Sequence, residues 1–132
     1  MVESMTEEHC VACTVMAKDA DGDYVFLVEN HSRGFSFLRT AISHNKTGLA
    51  SIIEKVKNEL AINVSDLELY ELTNAVVEKS RIPLFVFSCR NEELHYKDIL
   101  SNSSSLSWEH SENLTKTLKE WQISGVPQFQ KE

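Results

Sequence analysis

Glycine is scarce in this sequence. Gly22, Gly34, Gly48 and Gly125 are the full set among 132 residues, where ordinary usage would give about nine. Four isolated glycines cannot build a glycine-rich phosphate loop of the P-loop or dinucleotide type, so those modes of nucleotide binding are excluded. Proline occurs only as Pro83 and Pro127. No apolar run reaches the roughly 18 residues that a spanning helix requires, so no membrane partner is expected. Met1 to His9 is acidic and has no apolar stretch like that of a secretory leader, which points to the cytoplasm. The three cysteines cannot all pair with one another, and nothing secretory supports a disulfide framework. Positive charge is also in deficit. Thirteen Lys and Arg against twenty Asp and Glu leave a net charge of −7, which disfavours binding to a nucleic-acid backbone.

What is present is the composition of an ordinary globular protein, 42% hydrophobic and 25% charged. The length predicts a single domain over residues 1–132. Cys10 to Ala17 and Tyr24 to Val28 are apolar and β-favouring, and Asp21-Gly22 between them is a strong hairpin-turn signal. Gly34 to Ile42, with Phe35, Phe37 and Arg39 in alternation, reads as a further extended segment. A helix is predicted from about Thr47, its cap, to Leu60, with Leu49, Ile52, Ile53, Val56 and Leu60 on one face. Leu67 to Val77 reads as one or two strands, and Ile82 to Cys89 as a buried strand. Ser101 to Ser107 reads as a serine-rich loop. Ser111 is expected to cap a last helix, in which Leu114, Leu118 and Trp121 share a face. The order of segments predicts a mixed α/β domain, a sheet between two helices.

Several polar groupings invite chemistry and decline it. Cys10 and Cys13 form a lone C-x-x-C, but residues three apart in a strand point to opposite faces, so structural cysteines are expected. Asp19, Asp21 and Asp23 suggest calcium. Counted from Asp19, however, the glycine falls at position four and Asn30 at position twelve, so a hairpin turn fits better than an EF-hand loop. His31, His44, His95 and His110 are scattered without metal spacing, and no nucleophile elbow marks a Ser-His-Asp set. On the central helix, Lys55, Asn58 and Glu59 sit on a polar flank, where Lys55 and Glu59 can pair.

Taken together, these segments resemble the Nudix (MutT-like) family over about residues 10 to 122. Val15 to Asn30 resembles the family's opening strand pair around an Asp-Gly turn. Phe35-Ser-Phe-Leu-Arg-Thr40 is similar to its aromatic-x-apolar-Pro-Gly-Gly entry. Ser51 to Ile62 falls without a gap on the helical part of the signature G-x5-E-x7-R-E-U-x-E-E-x-G-U, where U is bulky and apolar. Trp108, Leu114 and Leu118 resemble the usual tryptophan and closing helix. On that register the first glycine is Thr40 and the first glutamate Lys46. The Arg-Glu pair is Glu54-Lys55, the Glu-Glu pair Asn58-Glu59, and the second glycine Ala61. Val56, Glu59 and Ile62 keep the family's residue type.

The resemblance implies a Nudix-like fold and, for an intact signature, Mg²⁺-dependent hydrolysis of a nucleoside diphosphate linked to another group. Several carboxylates on one helical face repel one another and call for a cation, whereas Lys55, Asn58 and Glu59 sum to zero charge. Glu59 is the one carboxylate retained. The expectation is therefore a non-catalytic domain that binds a nucleotide-like ligand or a protein, with no catalytic residue, metal ligand or cofactor assigned. The expected ligand-binding residues are Arg39, Lys46, Lys55 and Glu59, a cluster of cations around one carboxylate that would take a phosphate-bearing small molecule. The alternative is a diverged hydrolase using Mg²⁺, with Glu92, Glu93, Asp98 or Glu109 joining Glu59. A homodimer is left open on the partner side.

Overall fold

In the computed structural model, which describes residues 9–32, 34–42, 45–60, 63–77, 79–89 and 105–123, every residue from Val11 to Met16 is buried. That run lies in β1 (Cys10–Lys18), whose apolar side chains on both faces suit it to the middle of a sheet. A tight turn joins β1 to β2 (Tyr24–His31). The amide of Asp19 donates to the carbonyl of Asp23 at 2.8 Å, and Gly22 takes a φ of 85°, a value that costs glycine little.

β1 has β6 (Ser80–Cys89) along one edge, in parallel, from Ala12 opposite Leu84 to Met16 opposite Ser88. Its other edge is divided. Met16 to Lys18 pair with β2, whereas Cys10 to Cys13 pair with β4 (Leu38–Ala41). β2 is divided in the same way, with Tyr24 to Phe26 on β1 and Glu29 to His31 on β3 (Gly34–Ser36). β1 and β2 thus part company beyond Met16 and Phe26, and β3 and β4 fill the wedge. The chain crosses from one to the other at Phe37, which is buried with its ring edge-on to Trp121, 5.2 Å between centroids. At the fork, the hydroxyl of buried Thr14 donates to the carbonyl of Leu27 at 2.8 Å, so a side chain supplies the bond that strand pairing no longer can. β7 (Leu106–His110) pairs with β2, and β5 (Leu67–Val77) pairs with β6, giving the order β3-β2-β1-β6-β5.

Strand alternation divides the core in two. Val11, Cys13, Val15, Leu38, Phe85 and Phe87 face α1 (Gly48–Glu59), which contributes Ile52 and Val56. Ala12, Phe26, Val28, Leu84 and Val86 face the other way, beneath Leu114 and Trp121 from the chain around α2 (Thr115–Glu120). The result is the anticipated mixed sheet between two helices. Thr47 caps α1 as expected, its Oγ1 accepting from the Ala50 amide at 3.1 Å. Among the described residues no helix is long and apolar enough to cross a membrane.

Four details differ from the sequence reading. Ile53 is only partly buried, because the apolar stripe of α1 is wider than its contact with the sheet; Ile52 and Val56 take the centre. The extended segment 34–42 is two strands, broken where Phe37 changes partner. Ser111 is no cap: it is buried at the start of a 3₁₀ turn (Ser111–Leu114), and the cap position belongs to His110. The serine-rich stretch ends in a strand, β7, whose polar residues disguise it.

The end of β7 is tied to the hairpin turn. Asp19 Oδ1 accepts from the amides of Asp21 and Asp23 at 2.9 Å each, and Asp19 Oδ2 lies 2.7 Å from His110 Nε2. The His110 contact first, and then the Asp23 amide, hold the Asp19 carboxyl below its ordinary value of 3.8. A carboxylate shifted down contributes stability above its ordinary value and loses it as pH falls through the folded-state value. The thermal midpoint of the wild type should therefore exceed that of Asp19→Asn in mildly acidic buffer, and the gap should close as pH drops below 3.8. A gap that widens with acid would contradict the contact. On the opposite face, Ile52→Ala should cost ~2–5 kcal/mol in urea denaturation and Ile53→Ala about 1 kcal/mol, since only the first leaves a closed cavity. Equal costs would mean that the two residues share the same burial.

Candidate functional site

The candidate site is built on the charged flank of α1. Positions four apart share a helical face, so Lys55 and Glu59 meet, with Nζ 3.4 Å from Oε2 and each side chain about one-third exposed, at 29% and 34%. Lys46, in the loop before the helix, reaches forward to pair with Glu54. That contact, and secondarily the nearby charge of Lys57, hold the Glu54 carboxyl below its ordinary range. Lys55 lies close enough to the sheet to act on the thiol of Cys13, but burial dominates there and pushes the thiol up to about 12. Cys13 is accordingly a core residue, and Cys10, Cys13 and Cys89 are all unbridged.

These pairs have a particular relation to the signature that the sequence resembles. Lys46 stands where the pattern has its first glutamate and Glu54 where it has arginine, so a pair of opposite charges occupies those positions in reversed order. Lys55 and Glu59 form the second pair. Of the three residues on the polar flank, Glu59 alone is a carboxylate, and an ammonium group already sits beside it. A hard dication takes six or more oxygen ligands and favours clustered negative charge, which these side chains do not offer. Glu109 does not add to them. It pairs with Phe26 across β2, so it belongs to the opposite face of the sheet, where it accepts from Ser107 and Asn113 at 3.2 Å each. Glu92, Glu93 and Asp98 lie outside the described residues, as do His44 and His95.

Next to the Lys46–Glu54 pair is an open cavity of about 580 Å³, lined among the described residues by one face of α1 and the loop before it. Leu49, Ala50 and Ile53 form its apolar wall, and Lys46, Thr47, Glu54, Lys57 and Asn58 its polar rim. Every lining residue but Ile53 is exposed, so the cavity is a surface groove along the helix. Two ammonium groups against one carboxylate make the rim locally positive in a chain whose net charge is −7.

The four expected ligand-binding residues are therefore not all brought together. Lys46 lines the cavity, and Lys55 and Glu59 lie on the sheet-ward flank of the same helix. Arg39 goes elsewhere: in β4 it alternates with Leu38, and since Leu38 packs under α1, Arg39 must point away. Its guanidinium lies over the Trp121 ring, 5.8 Å from the centroid. Lys57 was missed by the sequence reading, although it continues the row Leu49, Ile53, Lys57 at intervals of four. His110, read from the sequence as one of several scattered histidines, has close neighbours in the fold. With Asp19 and Asp23 it makes a group of potential metal ligands within 4.8 Å of one another, on the hairpin turn rather than on α1, although both oxygens of Asp19 already have protein partners.

No protein-family model matches the sequence, and the curated proteins include none that matches it. Solved structures do match. A Nudix hydrolase from M. smegmatis, RenU, superposes with a TM-score of 0.64 at 12% identity, over 87% of this chain and 81% of that one. The C. elegans Ap4A hydrolase in a binary complex gives 0.62 at 14% identity, over 85% and 86%. The NUDIX domain of Shewanella oneidensis NrtR, complexed with ADP ribose, gives 0.52 at 11% identity, over 89% and 88%. Identities this low speak for architecture alone, and on that ground the chain has the Nudix fold.

Proposed function

We propose that this chain is a non-catalytic Nudix-fold domain that binds a nucleotide-like, phosphate-bearing ligand in the cavity beside α1. The observation that carries the reading is the pairing of charge on that helix. Lys46 with Glu54 and Lys55 with Glu59 leave no group of carboxylates that would call for a dication, while Lys57 gives the cavity rim its excess of positive charge. An ammonium group can contact a phosphate oxygen directly, and the apolar wall of Leu49, Ala50 and Ile53 suits the body of a nucleoside. The ADP ribose bound by the NrtR domain supports this choice of ligand class.

ADP-ribose titrated in the presence of EDTA should bind, and added salt should weaken the binding. Lys46→Glu and Lys57→Glu should each reduce affinity about tenfold, the ~1.4 kcal/mol scale of one lost hydrogen bond to a charged group. Lys55→Glu, one face removed, should have a smaller effect. Binding that requires Mg²⁺, or that ignores Lys46 and Lys57, would defeat the proposed site.

Catalysis is tested separately. Nucleoside triphosphates, ADP-ribose and dinucleoside polyphosphates incubated with Mg²⁺ or Mn²⁺ should release no phosphate or nucleotide above background. Turnover of any of them that Glu59→Gln abolishes would establish a diverged hydrolase instead.

A further inference from the structure

β5 is the last strand of the sheet, and among the described residues no further strand pairs with its outer edge. The amide of Val76 points outward, donating to the carbonyl of Trp121 at 2.9 Å. Pairing with β6 is regular from Glu71 to Val77, so backbone alternation aims the amides of Asn74 and Leu72 outward as well. Residues 66–74 carry Asp66, Glu68 and Glu71 and no cation. Leu69 and Leu72 are 46% and 53% exposed.

Those two leucines are three residues apart, a spacing that in a regular strand would send them to opposite faces. The register against β6 slips between Leu69 and Glu71. Leu69 consequently lies opposite Phe87 and Leu72 opposite Phe85, while Glu68 lies opposite Ser88 and Glu71 opposite Val86. Phe85 and Phe87 belong to the α1 face and Val86 to the other. The bulge therefore gathers both leucines on one face of the edge and both glutamates on the other. Bulges and charges commonly protect an edge strand from pairing, but two half-exposed leucines side by side do the opposite.

We propose that this edge accepts an extended segment of a partner protein as an added strand, one in which apolar side chains alternate with Lys or Arg. The outward amides of Leu72 and Asn74 would bond its main chain. Its apolar face would lie against Leu69 and Leu72, and its basic face against Glu68 and Glu71. A second copy of the same strand is the poorer occupant, because it would bring carboxylates against carboxylates.

The test uses the full chain, a synthetic peptide of alternating valine and lysine, and its valine–glutamate counterpart. The lysine peptide should bind one to one, slow amide exchange at Leu72 and Asn74, and weaken as salt is added; the glutamate peptide should not bind. Glu68→Lys with Glu71→Lys should reverse that preference. Leu72→Ser should weaken the lysine peptide about tenfold while leaving the thermal midpoint in place, as suits an exposed side chain. Failure of the lysine peptide to protect those two amides, or binding indifferent to the charge reversal, would overturn the proposal. Sedimentation showing a dimer that Leu72→Ser dissolves would overturn it too, in favour of a second copy.

Discussion

The divergence of β1 and β2 is the constraint on which the rest of the molecule depends. A strand has two edges, and β1 gives one entirely to β6. Its remaining edge must serve both β2 and β4, so the sheet forks, and a fork leaves backbone groups without strand partners. Thr14 answers this locally by donating to Leu27. The crossing at Phe37 answers it globally, since the move from β3 to β4 fixes the phase of everything that follows. Leu38 is delivered to the α1 face and Arg39 to the other, and the chain then leads through Ile42, packed against the core, to the start of α1 over β1.

That phase explains why the charges of α1 act as they do. The helix is held by Ile52 and Val56, fully buried, and by the Thr47 cap; its ion pairs are exposed or half-exposed. Exposed pairs contribute only ~0–1 kcal/mol, so the fold does not require them. Their effect is on the electrostatic field. With Glu59 matched by Lys55 one turn away and Glu54 by Lys46 from the preceding loop, the helix presents no concentrated negative charge, and Lys57 beside the cavity tips the local balance to positive.

Much of this architecture was legible in the sequence, because the signals were local. The Asp-Gly turn, the Thr47 cap and the helical stripe each lie within a few residues of what they determine, and a continuous apolar run such as Ile82 to Cys89 suits a strand covered on both faces. What was hidden depends on distant partners. β7 contains Ser107, Glu109 and His110, and only its pairing with β2, some eighty positions earlier, makes it a strand. The rank of Ile52 over Ile53 depends on where the sheet ends beneath the helix, which periodicity does not reveal. The geometry of the candidate site was legible in the same uneven way. The Lys55–Glu59 pair follows from helical spacing. The Lys46–Glu54 pair required the loop to turn back, and the exclusion of Arg39 required the register of β4 on β1.

The negative charge of the chain is distributed rather than uniform, and the distribution gives two surfaces opposite local fields. The edge from Asp66 to Asn74 holds three carboxylates without a cation, whereas the cavity rim holds two ammonium groups and one carboxylate. Negative charge is disfavoured at the first surface and favoured at the second, and positive charge experiences the reverse. Both surfaces follow from a choice of face. The bulge before Glu71 turns the acidic side chains of β5 away from the α1 side of the sheet, and the helical row through Ile53 and Lys57 puts the cationic rim on that same side. Had β5 run without its bulge, one glutamate and one leucine would have changed sides, mixing apolar and acidic character on each face. The irregularity in one edge strand is therefore what keeps the acidic surface off the side of the sheet on which the cavity opens.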